Sequence, residues 1–310
     1  MQRLVTTIID QDKCIGCGLC VRVCPSQTIS MQDETAAVTG DQSLSCGHCV
    51  AVCPADAVQV TAIDNDALNF KTFQADTDWL AYGEYDTGQL VKLMCSRRSC
   101  RNYTDEPVDR SVLEDLVKIG TTAPSGTNSQ KWMFTILPTR NEVKAFGDQI
   151  SLFFKKLNKM AEKTYLRGFL KLIGKNELDV YFHEYYESVK EALAEWENTG
   201  RDRLFHGATA AIIVGSAPGA TCPKEDAMLA TQNILLAAHS MGLGTCLIGF
   251  AVEAMKNDIS VKRYIGIPDN EPVYAVIAIG FPDEKYQHQA GRRKIVPRYF
   301  EIDDCQSSIN

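Results

Sequence analysis

The sequence predicts an α+β protein with two domains, a small cysteine-rich one followed by a larger one in which helices pack on a sheet. With 310 residues and 45% hydrophobic content, the chain is long enough to form two cores. Seven of its 12 cysteines lie between Cys14 and Cys53, which distinguishes the first domain by composition. From Leu90 onward, apolar runs of strand length alternate with segments of helical period. We therefore predict domains over residues 1–62 and 90–310, joined by a linker over residues 63–89.

Charge and hydropathy argue against two classes of partner. The net charge of -7 at pH 7 disfavours nucleic acid, because proteins that bind it carry a basic surface. The opening MQRLVTTIID lacks the basic start and apolar core of a signal peptide. The sequence also contains no uninterrupted run of about 18 apolar residues, the length a membrane span needs. We expect a cytoplasmic protein with no nucleic-acid and no membrane partner.

In the larger domain, each element is predicted from its own local pattern. VDRSVLEDLVKIG has a capping candidate at Asp109 or Ser111 and a stop at Gly120, which indicates a helix. WMFTIL, AAIIVGS and VYAVIAIGF are typical of buried strands. The almost wholly apolar EDAMLATQNILLAAHSMG predicts a helix that crosses the core. Residues 151–203 are charged and helical in period, and we interpret them as a helical insertion.

A duplicated cysteine motif defines the small domain. CIGCGLCVRVCP recurs as SLSCGHCVAVCP, shifted by 29 residues, so that Ser43 stands where the first copy has Cys14. The spacing C-x2-C-x2-C-x3-C-P holds iron–sulfur clusters, because three close thiolates surround one cluster and the fourth reaches the other. Zinc sites more often pair two C-x2-C knuckles at longer spacing. A disulfide framework would require secretion. Iron–sulfur ligation is the favoured interpretation over zinc and redox thiols.

The first 60 or so residues resemble a bacterial two-cluster ferredoxin. That resemblance implies crossed ligand sets: cluster one would take Cys14, Cys17, Cys20 and Cys53, and cluster two would take Cys24, Cys46, Cys49 and whatever Ser43 offers. Cluster one is then expected to be 4Fe-4S. Cluster two has three possible forms: 4Fe-4S with Ser43 or solvent on one iron, 3Fe-4S, or 4Fe-4S completed by a distant cysteine such as Cys95.

Four polar segments of the larger domain are each ambiguous when taken alone. CSRRSCRNYTDEPV could be a solvated basic patch or a phosphate grip, since guanidinium groups match phosphate oxygens in pairs. TAPSGTNSQKW could be an ordinary turn, MGLGTCLIGF a site of tight packing, and AGRRKIVPRYF surface charge. Their order and spacing in the chain are more specific than any one of them.

Taken together, residues from about Leu90 to Phe300 resemble the FMN-dependent nitroreductase family, in its ferredoxin-containing anaerobic branch. The resemblance implies a homodimer with FMN at the subunit interface. The FMN contacts that it implies fall in four groups: Arg97, Arg98, Ser99 and Arg101 on the phosphate, ribityl chain and pyrimidine edge; Pro124, Ser125, Gly126 and Asn128 from the partner subunit; Leu247, Ile248 and Gly249 beside flavin N5; and Arg292 or Arg293 on the phosphate.

The function expected from both resemblances is reduction of a small electron-poor acceptor, such as a nitroaromatic, a quinone or an activated alkene. Electrons would come from a ferredoxin-type or other reductant through the clusters to FMN. The insertion over residues 151–203 would lie over the active site. Two alternatives stay open, an electron-transfer relay to a protein partner and an iron–sulfur sensor. No side chain could be assigned a catalytic role from the sequence.

Overall fold

The structure is a computed structural model that describes residues 4–300. Its secondary structure confirms the predicted α+β class. None of the helices within residues 4–300 combines the length and the apolar character that a membrane span requires.

The small domain is built around two short helices and two two-stranded antiparallel sheets. The outer sheet pairs β1 (Thr7–Ile9) with β4 (Val58–Val60), and the second pairs β2 (Ile29–Gln32) with β3 (Thr35–Val38). The helices are α1 (Leu19–Val23) and α2 (His48–Ala51), one in each copy of the cysteine motif. The core contains few aliphatic side chains and includes the thiols of Cys20 and Cys49. So small a core depends for stability on whatever its cysteines bind.

The segment between the domains is anchored to the larger domain. It contains a 3-10 turn, Asn65–Leu68, and leads to α3 (Thr87–Ser96). Asp115 lies in α4 (Arg110–Gly120) and its carboxylate is fully buried. It accepts the backbone N–H of Lys71 at 2.9 Å and the N–H and hydroxyl of Thr72 at 2.7 Å each. Burial alone would raise the pKa of Asp115, but these hydrogen bonds outweigh it and lower the pKa.

Asp115→Ala is expected to release this segment. Loss of hydrogen bonds to a charged group costs about 1.5–3 kcal/mol of unfolding free energy. Because the folded-state pKa is lowered, the contribution of Asp115 is present above its unfolded-state pKa and is lost as the pH falls through the folded-state value. Urea unfolding and limited proteolysis within residues 63–86 would measure both effects. Glu114→Ala removes only an exposed ion pair with Lys71 and is the matched control. Equal stability of the two variants would refute the anchor.

The larger domain is centred on a four-stranded antiparallel sheet of order β5-β6-β8-β7. Its strands are β5 (Trp132–Leu137), β6 (Ala210–Ser216), β7 (Gly244–Leu247) and β8 (Val273–Gly280). Three of the four match the predicted apolar runs. β6 is buried at every residue, because both of its faces are covered by helices.

Helices cover both faces of this sheet. On one face, α4 and the core helix α9 (Pro223–Ser240) pack with side chains such as Leu113, Leu116 and Ile234. On the other face lie α5 (Arg140–Ala161), α10 (Gly249–Asn257) and α11 (Ile259–Tyr264). The result is a sandwich with the sheet in the middle layer, as the sequence predicted.

The charged segment between β5 and β6 is helical, but its predicted first boundary cuts a helix. The segment consists of α5, α6 (Thr164–Leu172), α7 (Glu177–Glu184) and α8 (Tyr186–Thr199). Residue 151 lies in the middle of α5, whose first half buries Val143, Phe146 and Ile150 in the core. The second half of α5 stays buried at Phe154, Asn158 and Ala161, so the helix continues as one element across the predicted boundary.

Candidate functional site

One small cavity collects the four cysteines predicted for cluster one. Cys14, Cys17, Cys20 and Cys53 line it together with apolar side chains. Two backbone amides point at its sulfurs, with Ala36 N 3.5 Å from Cys14 Sγ and Ala57 N 3.3 Å from Cys53 Sγ. Such N–H groups stabilise the charge of cluster thiolates and tune their reduction potential. Gly16 is required here, since its φ is +69° and a Cβ would lie 2.1 Å from Glu34 O.

A second cavity collects Ser43 with the three remaining cysteines of the motif. Cys24, Cys46 and Cys49 line it with Ser43, whose side chain is buried. The hydroxyl oxygen of Ser43 accepts the N–H of Ser45 at 3.0 Å. Thr28 N lies 3.3 Å from Cys24 Sγ, which repeats the contact of Ala57 with Cys53 in the other cavity. Ser43 therefore lines the cavity at the position that corresponds to Cys14 in the first copy of the motif, and its role as a ligand stays a prediction.

Each cavity places four side chains of the duplicated motif around a void, which fits an iron–sulfur cluster. Within residues 4–300, no three Cys, His, Asp or Glu side chains converge tightly enough to hold one metal ion. The thiols of each set instead surround a void. The crossing of the ligands, with Cys53 joining the first motif and Cys24 the second, is the arrangement that the duplicated spacing implies.

In the larger domain, the arginine segment forms a cavity of its own. A depression of about 270 Å³ is lined by Arg97, Arg98, Ser99, Arg101 and Tyr286. Arg97 follows the last residue of α3, so the end of that helix directs the segment across the sheet edge. Three guanidinium groups and a hydroxyl around one depression provide a binding site for phosphate.

This segment lies alongside β7 and so brings two predicted groups of flavin contacts together. Ser99 forms a parallel bridge with Thr245, and Cys100 N donates to Thr245 O at 2.9 Å. Close packing requires glycine at Gly244, where a Cβ would lie 2.8 Å from the Cys100 side chain. The Leu247–Gly249 turn follows directly in the chain.

Three backbone N–H groups of that turn are predicted to contact the flavin, and the N–H of Ile248 already donates to another strand. Ile248 is buried and its N–H donates to Val276 O at 2.8 Å. Gly249 is exposed and is the first residue of α10, so its N–H has no acceptor within the helix. Gly249 is therefore better placed than Ile248 to donate to a bound flavin.

Glu284 and Tyr286 contact the arginine segment, and the sequence did not predict a role for either residue. Glu284 accepts Arg101 N at 3.2 Å, the amide of Asn102 at 2.7 Å and the hydroxyl of Tyr286 at 2.5 Å. Burial raises the pKa of Glu284, but the hydrogen bonds and the charge of Arg101 outweigh it and lower the pKa. The only signal for this role was an acidic residue soon after the last strand, which is too common to single out.

The predicted partner-subunit loop lies far from these arginines within one chain. Pro124, Ser125, Gly126 and Asn128 form a turn at the N-terminal end of α9, where Gly126 N donates to the Asp226 carboxylate at 2.8 Å. At the other end of α9, Ser99 of the arginine segment forms a bridge with Thr245, which follows the helix by five residues. A helix of 18 residues spans about 27 Å. Within one chain, the loop and the arginine segment therefore lie at opposite ends of α9.

Arg292 and Arg293 do not line the arginine cavity. They lie in an exposed extended segment, where the Arg292 guanidinium donates to the carbonyls of Ala290 and Gly291 at 3.2 Å. The segment passes close by, since Gln289 donates to the Ser96 hydroxyl at 3.3 Å. The phosphate contact expected of these arginines stays a prediction.

A second, larger cavity adjoins the same site. It has a volume of about 1410 Å³, and Arg101, Leu247 and Gly249 line it together with aromatic side chains of α5 and α7. His206 also lines it, with a left-handed φ of 58°. Burial lowers the pKa of His206, so a neutral imidazole faces the cavity near neutral pH. The helical segment after β5 thus covers the side of the sandwich where the flavin contacts lie.

Comparison with known proteins finds a matching family model for each of the two domains. A model of the nitroreductase family matches residues 94–281, and a model of a 4Fe-4S dicluster domain matches residues 7–60. An iodotyrosine deiodinase from Thermotoga neapolitana is 25% identical, with 68% of this chain and 97% of the relative covered. A 4-nitrobenzoate reductase from Nocardioides sp. is 25% identical, with 61% and 79% covered. A crystal structure of a nitroreductase with bound FMN from Desulfitobacterium hafniense is 22% identical, covers 68% of this chain and 97% of its own, and has a TM-score of 0.48.

Proposed function

Because the chain belongs to the nitroreductase family and carries a 4Fe-4S dicluster domain, we propose that this FMN-dependent oxidoreductase reduces a small electron-poor aromatic or quinone-like acceptor with electrons that its iron–sulfur domain supplies. One observation carries the proposal. Arg101 lines both the phosphate-sized depression and the large aromatic cavity, so a cofactor held in the first would present its reactive part to the second.

The residues of the arginine cavity fit FMN. Arg97, Arg98 and Ser99 would hold the phosphate and ribityl chain, and Arg101 would lie at the pyrimidine edge. When bound, FMN supplies the exchange between one-electron and two-electron chemistry. The guanidinium of Arg101 would favour negative charge on the group beside it, and the N–H of Gly249 would donate a hydrogen bond.

A homodimer would complete the site. The Ser125 turn and the arginine segment lie at opposite ends of α9, so a second chain would bring them to one flavin. Apolar side chains also lack cover: α3 has no buried residue, Trp79 is 75% exposed and Tyr82 is 95% exposed. Contiguous exposed apolar surface of this kind marks an interface. A two-fold dimer would give two equal sites.

The lining of the large cavity indicates the acceptor class. Phe153, Tyr181, Tyr185 and Phe250 present aromatic surface, which favours flat apolar molecules. Two of the relatives are named for substituted aromatics, 4-nitrobenzoate and iodotyrosine. A nitroaromatic or a quinone would fit the same surface.

The proposal predicts rapid reoxidation of the reduced protein by small acceptors. Holoprotein photoreduced without oxygen would be mixed in a stopped-flow instrument with nitroaromatics, quinones and activated alkenes. FMN absorbance should return fastest with the aromatic acceptors, and Phe250→Ala should slow that return while FMN content is unchanged. If a redox protein reoxidised the FMN but none of the small molecules did, the proposed enzymatic function would be refuted and the relay function favoured.

A further inference from the structure

Asn128 connects the predicted flavin loop to the loop around the cluster-two cavity. Its side-chain amide donates to the carbonyls of Leu44 and Ser45, each at 3.1 Å. Leu44 and Ser45 are the two residues between Ser43 and Cys46, and both line the cluster-two cavity. A predicted flavin contact therefore touches the backbone that surrounds cluster two.

The orientation of the Asn128 side chain is fixed by its neighbours. Gln130 Nε2 donates to Asn128 Oδ1 at 2.9 Å, which leaves the NH2 group facing the Leu44 and Ser45 carbonyls. Thr127, Asn128 and Gln130 all have φ near +50°, an uncommon conformation for residues other than glycine. Such conformations persist where the surrounding structure holds them, and they concentrate at functional sites.

Within residues 4–300, the other copy of the motif shows no such contact at the corresponding position. The 29-residue shift relates Ile15 to Leu44 and Cys17 to Cys46. Ile15 is 67% exposed and Cys17 is exposed, whereas Leu44 and Cys46 are partly covered. The two cavities are therefore not equivalent: cluster two faces the larger domain, and cluster one has a side open to solvent.

We propose that the iron–sulfur domain of each chain serves the flavin held by Arg97 of the partner subunit, with the cluster-one side open to an electron donor and Asn128 holding the cluster-two side against the partner's flavin site. The inference rests on the proposed function, since it requires FMN at a dimer interface. It follows from placement within one chain: Asn128 contacts the Leu44 and Ser45 backbone beside the cluster-two cavity, but lies at the end of α9 away from its own arginine segment.

The electron balance is simple. A low-potential one-electron carrier, such as a reduced bacterial ferredoxin, is oxidised at cluster one. Two such carriers are oxidised for each acceptor, which gains two electrons and takes two protons from solvent. No other oxidant or reductant is needed.

Heterodimers with two affinity tags would test which chain supplies the electrons. In the split heterodimer, one chain carries Arg97→Ala and the other Cys49→Ala. In the joined heterodimer, one chain carries both substitutions and the other neither. Each is expected to retain one FMN, at the intact Arg97. In the split form that FMN lies beside intact clusters of the other chain, and in the joined form it lies beside damaged ones.

The readout is bleaching of FMN absorbance by photoreduced bacterial ferredoxin, before any acceptor is added. The split heterodimer should bleach at half the wild-type amplitude, and the joined one should lose this reaction. The reverse pattern, or equal bleaching in both, would overturn the proposal. Because Cys49 is buried in the small core, Cys17→Ala at an exposed position serves as a second cluster variant and should give the same pattern.

Two controls separate this inference from the proposed function. Dithionite should bleach the FMN of both heterodimers, which shows that the flavin sites are intact whatever the ferredoxin result. A monomeric protein, or one FMN bound per isolated chain, would overturn the proposed dimer and this inference together. Loss of ferredoxin bleaching in the split form, with dimer and FMN retained, would overturn the inference alone.

Discussion

Arg97→Ala is expected to release FMN from a protein that remains folded and dimeric. Arg97 lines the arginine cavity directly after α3, where its guanidinium can bind a phosphate through paired hydrogen bonds. Loss of hydrogen bonds to a charged group costs about 1.5–3 kcal/mol. That corresponds to a roughly 10- to 150-fold rise in the Kd for FMN. Fluorescence titration of the apoprotein with FMN would measure it.

Two comparison variants separate the phosphate contact from general charge effects. Arg97→Lys keeps the positive charge but loses the paired N–H donors of the guanidinium group. It should therefore recover only part of the affinity for FMN. Arg110→Ala removes an exposed arginine at the start of α4 and should leave FMN binding unchanged. If Arg97→Ala bound FMN as tightly as Arg110→Ala, the arginine cavity would not be the phosphate site.

The fold was predictable where one physical signal dominates. β5 and β6 coincide with WMFTIL and AAIIVGS, and β6 is a continuous apolar run because it is covered on both faces. The family resemblance of both domains was confirmed for the same reason: cysteine spacing and glycine-rich turns are local in sequence. The predicted boundary at residue 151 falls inside a helix because α5 keeps one buried face from Val143 to Ala161, so its period shows no break there.

The candidate site was predictable in its parts but not in its assembly. The arginine segment and the Gly249 turn could be recognised from sequence, yet their pairing through Ser99 and Thr245 depends on strand order. Glu284 is 183 residues from Arg101, so no local pattern connects them. The contact of Asn128 with Leu44 spans 84 residues and two domains, and only the folded chain reveals it.

Sequence and structure together restrict the chemistry available at Ser43. The serine side chain lines the cluster-two cavity together with Cys24, Cys46 and Cys49. The other three cysteines therefore keep their places around the cavity. Cys95 lies in α3 and does not line that cavity, which disfavours its service as a distant ligand. A serine hydroxyl is a harder and far less acidic donor than a thiol, and it already accepts the N–H of Ser45.

Ser43→Cys is therefore expected to complete cluster two and to leave cluster one unchanged. In the natural protein, the iron facing Ser43 would be the weakly held one, either bound by the hydroxyl or solvent or lost to leave 3Fe-4S. The substitution should raise iron content, change the electron paramagnetic resonance spectrum of one cluster only, and slow the loss of that cluster in air. Ser30→Cys is the matched control, because Ser30 lies in β2, lines neither cluster cavity and should change none of these. If the protein purified without oxygen already shows two equivalent all-thiolate cubanes, the iron facing Ser43 is not weakly held and a cysteine outside the motif must complete cluster two.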